Sequence, residues 1–510
     1  MDGERKTKQS EINQLLRSMC DSFRRIVGSS RYIDYILMLL LLKYISDVCR
    51  DRDEECHPEV RNESERMKHK RVVLPEGSSF YNLYEQRSSA SIGKLINNAL
   101  ELIREHPKNE AELDGVFLDV DFSSRADLGK TKDRNQLLKK LLEDFNKPEL
   151  DLRPSQVSED SIGNAFIYLL EQSAISDGKK LDGGDFMTPI QVSTLVAKLV
   201  QPNIGDRICD PVCGTGSLLI RVAHEIKGGD HSLYGQEMNR RTWALARMNM
   251  LFHGYNVSNI KCGNTLDVPQ LVDEDGELMK FDVVVANPPF SSRWQGGEKA
   301  ASDTRFWRGV PPKSKGDYAF ITHVIESVLP RKGRAAVLVP HGVLFREFKE
   351  GLIRKALIEE NLLDAVVGLP PNLFPHTSIP VAILIFDRSR EEGGKNESRR
   401  DVIFIDASNG FQSAKARNIL SDKHIDRIVS TFKTRESVDK YARVTMLEEV
   451  AENDFNLNIS RYVDTFEEEE ETDIAEMEME IERLKDELSQ TRQEMKNRLR
   501  ELGLIAHSFI

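Results

Sequence analysis

Four residues that follow an apolar run could do chemistry on a planar amine. The run from Phe281 to Ala286 predicts a buried strand of a parallel sheet, and ligands of such sheets bind beyond the carboxyl ends of the strands. This run leads directly into Asn287, Pro288, Pro289 and Phe290. Two successive prolines fix φ and remove two backbone donors, which leaves carbonyl oxygens facing the pocket. We expect these four residues to be catalytic.

The chemistry that this tetrapeptide favours is methyl transfer to an amino group on an aromatic ring. Such an amine is a poor nucleophile because its lone pair is delocalised into the ring. The Asn287 side chain and the Pro288 carbonyl would accept both amine protons and aim the lone pair at a sulfonium methyl, while Phe290 stacks on the ring. A base inside a duplex cannot reach such a pocket, so base flipping is implied. An Asn-Pro turn after a strand is common, however, so the tetrapeptide needs support from the rest of the chain.

A glycine-containing turn supplies that support by predicting a cofactor site on the same sheet. Gly214 and Gly216 lie at a strand-to-helix turn, where glycine lets the backbone approach a ligand. A dinucleotide-binding fingerprint would have a third glycine where Leu219 stands, which counts against NAD. The next predicted strand ends at Glu237, which can accept both ribose hydroxyls of an adenosine-bearing cofactor. Including a polar residue after the third strand that could bond the adenine, the expected cofactor-binding residues here are Asp210, Gly214, Thr215, Gly216, Ser217, Glu237 and Asn264.

The segment from residue 291 to 316, which follows the tetrapeptide, has a local charge of +4 and three interleaved aromatic residues, Trp294, Phe306 and Trp307. A flexible loop of this composition suits contact with DNA phosphates and filling of the space that a flipped base vacates. A merely solvated charged loop is the alternative. The expected DNA-binding residues are Arg293, Lys299, Arg305, Arg308, Lys313 and Lys315.

The elements that must position these residues alternate between strand-like and helix-like runs, which predicts an α/β, Rossmann-like sheet. Seven strands are predicted, at Arg207–Asp210, Ser232–Glu237, Asn259–Cys262, Phe281–Ala286, Arg334–Val339, Leu363–Leu369 and Val381–Phe386. Residues 1–150 lack strand patterns and predict an N-terminal helical domain, residues 151–463 the sheet domain, and residues 464–510 an acidic helical tail with heptad spacing. Heptads specify a partner helix but not whose, so a tail that folds back on its own domain is equally open.

Composition and charge exclude several classes of protein. The tail from residue 464 has 15 acidic and 6 basic residues, so it accounts for −9 of the formal net charge of −12 and leaves the body nearly neutral. The longest apolar run, Ile36 to Leu42, is too short to span a membrane, so we expect a cytoplasmic protein without membrane contact. Six cysteines without CxxC pairing and eleven scattered histidines predict neither a disulfide framework nor a metal site.

Taken together, these motifs resemble the modification (methylation) subunits of type I restriction-modification systems, within the N6-adenine DNA methylases. Gly333 to Pro340 and Gly368 to Pro375 are also similar to segments typical of these subunits, and the resemblance covers nearly the whole chain. One departure is Asn264, which stands where relatives often have Asp. The resemblance implies S-adenosyl-L-methionine as cofactor. It adds a motif ahead of the glycine turn whose cofactor-binding residues would be Asp185, Phe186, Met187, Thr188 and Pro189; read alone, this motif predicts only a helix with Thr188 as N-cap and Pro189 at its first position.

The resemblance also implies partners. Such subunits methylate double-stranded DNA together with a specificity subunit that reads the sequence, usually with two methylation subunits per specificity subunit, and a restriction subunit can join. Two other functions remain open from the sequence: methylation of a planar amine in RNA or protein, and a non-catalytic assembly subunit with the same fold. Intact Asn287, Glu237 and Gly214 weigh against the second of these.

Overall fold

The computed structural model describes residues 2–24, 31–54, 72–176, 188–226, 228–296, 298–374, 377–414, 417–465 and 474–501. The chain forms two compact units, Met1–Val463 and Asp464–Ile510. No helix among the described residues is long and apolar enough to cross a membrane.

Helices form the N-terminal part of the first unit. They are α1 (Asp2–Arg24), α2 (Tyr32–Glu54), α3 (Phe80–Glu85), α4 (Ile92–Glu105), α5 (Glu110–Leu113), α6 (Arg125–Leu128), α7 (Thr131–Phe145) and α8 (Glu159–Ser176). Helix α2 is buried from residue 32 to 49, including the charged residues Asp34, Lys43 and Asp47, which makes it the central helix of this part. Helix α8, which the sequence analysis assigned to the sheet domain, packs in this same core through Ile162 and Phe166. The expected joint near residue 150 therefore does not separate two cores.

A nine-stranded sheet forms the rest of the first unit. Its strands are β1 (Arg207–Asp210), β2 (Ser232–Glu237), β3 (Ile260–Cys262), β4 (Val283–Ala286), β5 (Arg334–Pro340), β6 (Leu363–Gly368), β7 (Val381–Asp387), β8 (Asp401–Asp406) and β9 (Ala442–Met446), in the order β3-β2-β1-β4-β5-β7-β6-β8-β9. Strands β3, β2, β1, β4 and β5 run parallel, whereas β7 and β9 are antiparallel to their neighbours.

The α/β fold class is confirmed, and all seven predicted strands are present with shifts of at most two residues at their ends. The expectation of seven strands is wrong, because β8 and β9 extend the sheet beyond β6. Strand β9 lies at the edge and only two of its five residues are buried, so it has no continuous apolar run to mark it in the sequence.

Helices cover both faces of the sheet. They are α9 (Ile190–Val200), α10 (Ser217–His224), α11 (Arg240–Phe252), α12 (Glu298–Ala301), α13 (Asp317–Ser327), α14 (Lys349–Glu359), α15 (Asp422–Thr434) and α16 (Leu447–Glu452). Residues of α9, α10 and α15 pack on one face, and residues of α13, α14 and α16 on the other. Helix α11 also joins the core of the N-terminal helices, through Ala244, Met248 and Phe252.

The second unit contains one described helix, α17 (Ile474–Glu501). Five of its described apolar side chains are exposed by 49–66%: Met479, Ile481, Leu484, Leu488 and Met495. The predicted helix is present, and its apolar seam is exposed within this unit.

Candidate functional site

A cleft opens at the carboxyl ends of β1, β2, β3 and β4, where the strand order reverses between β1 and β4. It encloses about 920 Å³ of space, including its open mouth, which suits a ligand the size of a nucleoside derivative. The predicted site residues that line it are Thr188, Asp210, Gly214, Thr215, Ser217, Glu237, Asn264, Asn287 and Pro289. Residues separated by up to 101 positions in the sequence are thus brought to one cleft.

Gly214 and Gly216 both have a positive φ, 54° and 76°, but a side chain at each would meet different surroundings. A Cβ at Gly214 would have no atom within 4 Å, so this position is open toward the cleft. A Cβ at Gly216 would lie 2.6 Å from Cε of Met250 on α11. Gly216 therefore allows helix α10 to pack against α11, and Gly214 leaves room for a ligand.

Glu237 connects the end of β2 to the glycine turn. Its Oε2 accepts a hydrogen bond from the backbone N–H of Gly214 at 3.1 Å, and its Oε1 accepts one from the backbone N–H of Asn239 at 2.7 Å. The carboxylate is therefore held at the wall of the cleft in a fixed orientation.

Asp210 is a second acid in the cleft and is almost fully buried. Burial raises the pKa of Asp210 to about 8, against the hydrogen bond from the backbone N–H of Val212, and the charge of Glu237 raises it further. The group is therefore largely neutral at pH 7. Two acids so close together favour a ligand that brings positive charge.

Asn264 lines the cleft, but its amide is bonded within its own turn. Its Nδ2 donates to Asp267 Oδ2 at 2.7 Å, and its Oδ1 accepts from the backbone N–H of Leu266 at 3.0 Å. Gln236, which the sequence analysis missed, supports this wall by donating to the carbonyls of Gly263 and Val268 at 3.1 Å each. No local sequence signal distinguishes this glutamine from an ordinary strand residue.

Among the described residues, the side-chain amide of Asn287 has a hydrogen-bond partner for its nitrogen but not for its oxygen. Its Nδ2 donates to the hydroxyl of Thr188 at 2.9 Å. Its Oδ1 is buried and has no hydrogen-bond partner within the part of the chain that the structure describes. Of the other tetrapeptide residues, Pro288 is buried and Pro289 exposed, and the half-buried Phe290 ring packs edge-on against Phe374 with centroids 5.9 Å apart. The tetrapeptide thus presents a buried acceptor that no described residue satisfies.

The segment ahead of helix α9 is described only in part, since Asp185, Phe186 and Met187 lie outside the described residues. The expectation that Thr188 is the N-cap is wrong by one residue, because α9 begins at Ile190 and Pro189 occupies the N-cap position. The Thr188 hydroxyl is instead the acceptor for Asn287, 99 residues away.

The loop after the tetrapeptide corrects the predicted DNA contacts. Arg305 is buried and donates to the backbone carbonyls of Thr265 and Leu266. The Arg308 side chain is also buried and forms ion pairs with Glu326 and Glu360. Neither guanidinium is available to a phosphate, so the expectation for these two residues is wrong.

The other predicted DNA contacts lie at the surface where their side chains are described. Arg293 and Lys313 are exposed and Lys315 is half-buried, whereas the side chain of Lys299 lies outside the description. These residues stay candidates for phosphate contact.

The end of the tetrapeptide is anchored by residues that the sequence analysis missed. Ser291 has a φ of 51°, and its backbone N–H donates to Asp317 Oδ1 at 2.8 Å. Arg346 donates to Asp317 Oδ2 at 2.7 Å, to Ser291 Oγ at 3.1 Å and to Glu350 Oε1 at 3.2 Å. This network fixes the loop at its first residue, and only the tertiary structure brings its members together.

The fold and the cleft define an α/β methyltransferase domain as the class of protein. The chain matches the model of the N-6 DNA methylase family over residues 157–471 and that of the HsdM N-terminal domain over residues 12–145. It therefore belongs to the N-6 DNA methylase family and, within it, to the methylase subunits of type I restriction enzymes, as its sequence motifs indicate.

Relatives of similar length support this assignment. The chain is 29% identical to the type I restriction enzyme MpnII methylase subunit of Mycoplasma pneumoniae, over 98% of both chains. It is 30% identical to the MjaVIII methylase subunit of Methanocaldococcus jannaschii, over 98% of this chain and 86% of that one. A crystal structure of a type I restriction-modification methyltransferase subunit from Streptococcus thermophilus superposes with a TM-score of 0.76 at 31% identity, covering 89% of this chain and all of that one.

Proposed function

We propose that the chain transfers a methyl group from S-adenosylmethionine to the N6 amine of an adenine that has left a DNA duplex. The observation that carries this proposal is the buried Oδ1 of Asn287, which accepts no hydrogen bond from the described residues. A buried acceptor without a donor costs about 1–3 kcal/mol, so the site favours a ligand that brings an N–H. The exocyclic amine of adenine is such a donor.

The cleft fits S-adenosylmethionine by shape and charge. This molecule carries a sulfonium and an ammonium, which suit the two acids Asp210 and Glu237, and the fixed Glu237 carboxylate can accept ribose hydroxyls. The open space at Gly214 lies at the turn before helix α10, where the helix N-terminus favours the ligand's carboxylate. When bound, the cofactor supplies an activated methyl group.

The residues of the chain act by positioning. Thr188 holds the Asn287 amide nitrogen, so the amide oxygen is the atom left to accept an amine proton. The Pro288 carbonyl accepts the other proton, and Phe290 provides a face for the base. Asp185, Phe186, Met187, Thr188 and Pro189 complete the cofactor-binding set in this proposal, together with the turn residues and Asn264.

The proposed partners are DNA and a specificity subunit. Arg293 and Lys313, which are exposed, and the half-buried Lys315 supply charge for DNA phosphates beside the tetrapeptide. Helix α17, with its exposed apolar seam, is the proposed docking element for the specificity subunit, with two methylation subunits in each complex and a restriction subunit able to join. A protein of a type I R-M system shares the fold, with a TM-score of 0.62 at 20% identity.

Asn287→Ala in the reconstituted complex tests the proposal. We expect a loss of about 100-fold or more in the rate of N6-methyladenine formation, because a positioned hydrogen-bonding group is removed, while the Kd for the cofactor changes less than about twofold. Mass spectrometry of nucleosides measures the product, and calorimetry measures cofactor binding.

The matched control is Asn409→Ala, an exposed asparagine that does not line the cleft. It should leave the methylation rate within about threefold. Labelled methyl transfer to DNA, RNA and protein in parallel identifies the acceptor. Unchanged DNA methylation by Asn287→Ala, or label in RNA or protein alone, contradicts the proposal.

A further inference from the structure

Phe348 has a highly exposed side chain and an unfavourable backbone conformation. Its side chain is 87% exposed, the highest value among the large apolar side chains described. It precedes helix α14 with φ 58° and ψ −130°, a combination that belongs to the first central position of a type II′ turn and normally requires glycine. Strained residues of this kind persist where the surrounding structure imposes them, and they concentrate at functional sites.

Ion pairs and hydrogen bonds fix the backbone of the segment that carries Phe348. Arg346 forms ion pairs with Asp317 and the buried Glu350. The backbone carbonyl of Arg346 accepts a hydrogen bond from Arg354 at 2.7 Å, and the carbonyl of Phe348 accepts one from the backbone N–H of Leu352 at 3.0 Å. These contacts therefore hold the backbone that carries the Phe348 ring in place.

This segment lies at the catalytic edge of the sheet. It follows β5, which is the parallel neighbour of β4, so both strands end at the edge where the tetrapeptide lies. Arg346, two residues before Phe348, donates directly to Ser291, the residue that follows Phe290. Lys315 is close enough for its charge to act on Glu350. Phe348 thus lies two residues from a side chain that contacts the residue after the tetrapeptide.

The three aromatic residues that the sequence predicted to fill the space of a flipped base make other contacts in the structure. Trp294 donates from Nε1 to the carbonyl of Pro312, and Phe306 is buried. Trp307 is exposed, but it donates to Glu326, and its ring lies against the guanidinium of Arg308 at 4.2 Å.

We propose that Phe348 is the wedge that enters the DNA stack beside the target adenine and holds the space that the flipped base vacates. This inference rests on the proposed function, since it presumes a flipped adenine at Asn287. Apolar side chains that unstack a base step are an established means of deforming a duplex, and extrusion of a paired base requires unstacking. Phe345 and Leu352, three residues before Phe348 and four after it, are also exposed, by 43% and 66%.

The observations favour DNA over a protein as the occupant. The exposed ring lies between exposed Glu347 and Lys349, on a segment that is hydrogen-bonded to the loop after the tetrapeptide. Arg346 of this segment donates to Ser291, the residue after the tetrapeptide, where the proposed DNA substrate binds.

The test compares Phe348→Ala with wild type in the complex with the specificity subunit, on two DNA substrates. One is the fully paired duplex, and the other has an abasic site opposite the target adenine, so that extrusion costs less. Phe348→Ala should slow methylation of the paired duplex by about tenfold or more and of the abasic duplex by less than about threefold. Phe348→Trp should retain the wild-type rates. With 2-aminopurine at the target position, the fluorescence rise on binding should fall in Phe348→Ala.

The matched control is Trp307→Ala, an exposed aromatic that is bonded to Glu326, and it should treat the two duplexes alike. If Phe348→Ala slows methylation of both duplexes equally, or of neither, the proposal that Phe348 enters the base stack is overturned. Loss of the specificity subunit from the Phe348→Ala complex in size-exclusion chromatography also overturns it and assigns the patch to a protein partner. If wild type itself forms no N6-methyladenine, the proposed function fails instead, which keeps the two failures distinct.

Phe348→Gly provides a second measurement. Glycine adopts the observed φ without strain, so this variant should have a higher Tm than wild type but the methylation defect of Phe348→Ala. A Tm below that of Phe348→Ala would show that the backbone is not strained and would remove one support of the inference.

Discussion

At the scale of single residues, the cleft holds two polar groups whose state depends on a ligand. The Oδ1 of Asn287 is buried without a donor from the described residues, and the carboxyl of Asp210 is buried with a pKa raised to about 8. Both groups cost free energy in the isolated chain. A ligand with an amine proton satisfies the first, and a ligand with positive charge stabilises the ionised form of the second.

The raised pKa of Asp210 predicts how cofactor binding depends on pH. If the cationic cofactor binds the ionised form, its Kd should fall as the pH rises from 6 to 8, by up to about tenfold per unit, and level off above 8. Calorimetry over this range measures the trend, and Asp210→Asn should abolish it. A Kd that is independent of pH in wild type would contradict the prediction.

The raised pKa of Asp210 also makes the folding stability depend on pH. This stability falls as the pH rises, whereas cofactor binding becomes tighter. Because the folded pKa of Asp210 lies above the unfolded value of about 3.9, its contribution to stability is fully present below pH 4 and is lost as the pH rises through about 8. Saturating cofactor should reduce this loss.

At the scale of elements, the turn between β1 and α10 assigns different tasks to two glycines. Gly216 permits contact with Met250 on α11, and Gly214 leaves space toward the cleft. The sequence shows only that both positions favour glycine. Helix packing decides which one is structural.

Substitution by alanine should separate these tasks. Gly216→Ala should lower the free energy of unfolding by about 2 kcal/mol, because a positive φ becomes strained and the flexible end of the Met250 side chain must move. Gly214→Ala should cost only about 1–2 kcal/mol and should mainly weaken cofactor binding. Denaturant unfolding and calorimetry measure the two effects. Equal loss of stability in both variants would contradict the structural role of Gly216, and unchanged cofactor binding by Gly214→Ala would show that the open space at Gly214 has no role.

At the scale of the whole molecule, helix α11 joins the core of the N-terminal helices to the core on one face of the sheet. Helix α11 packs against the sheet and also against the N-terminal helices, and Arg241 on α11 forms an ion pair with the buried Asp34 on α2. The cleft wall therefore depends on the N-terminal helices for support. The second unit, with helix α17, is a separate compact unit.

The exposed seam of α17 predicts a variant that affects assembly alone. Leu484→Glu with Leu488→Glu should leave the Tm and cofactor binding unchanged but remove the specificity subunit in co-purification, because a charged seam cannot pack against a partner helix. Ser489→Glu, on an exposed position outside the seam, is the control. Full retention of the partner by the double variant would show that docking lies elsewhere.

The sequence by itself determined the order of the strands along the chain and the residues at their ends. Glycine turns, apolar strands and a proline-rich tetrapeptide are local signals, since each depends on backbone conformation within a few residues. The first seven strands along the chain, the turn at Gly214 and the position of Asn287 were therefore predictable. The motifs also sufficed to indicate the family.

Only the tertiary structure decided which polar side chains are available to a ligand and which are already bonded to other residues. Arg308 meets Glu326 and Glu360, and Asn287 meets Thr188, across 18 to 99 positions in the sequence. A charged side chain in a loop looks the same in the sequence whether it faces solvent or a buried acid, because its partner is set by how distant elements pack. For the same reason the sequence pointed to Trp294, Phe306 and Trp307 for the base stack, whereas the packed structure leaves Phe348 exposed.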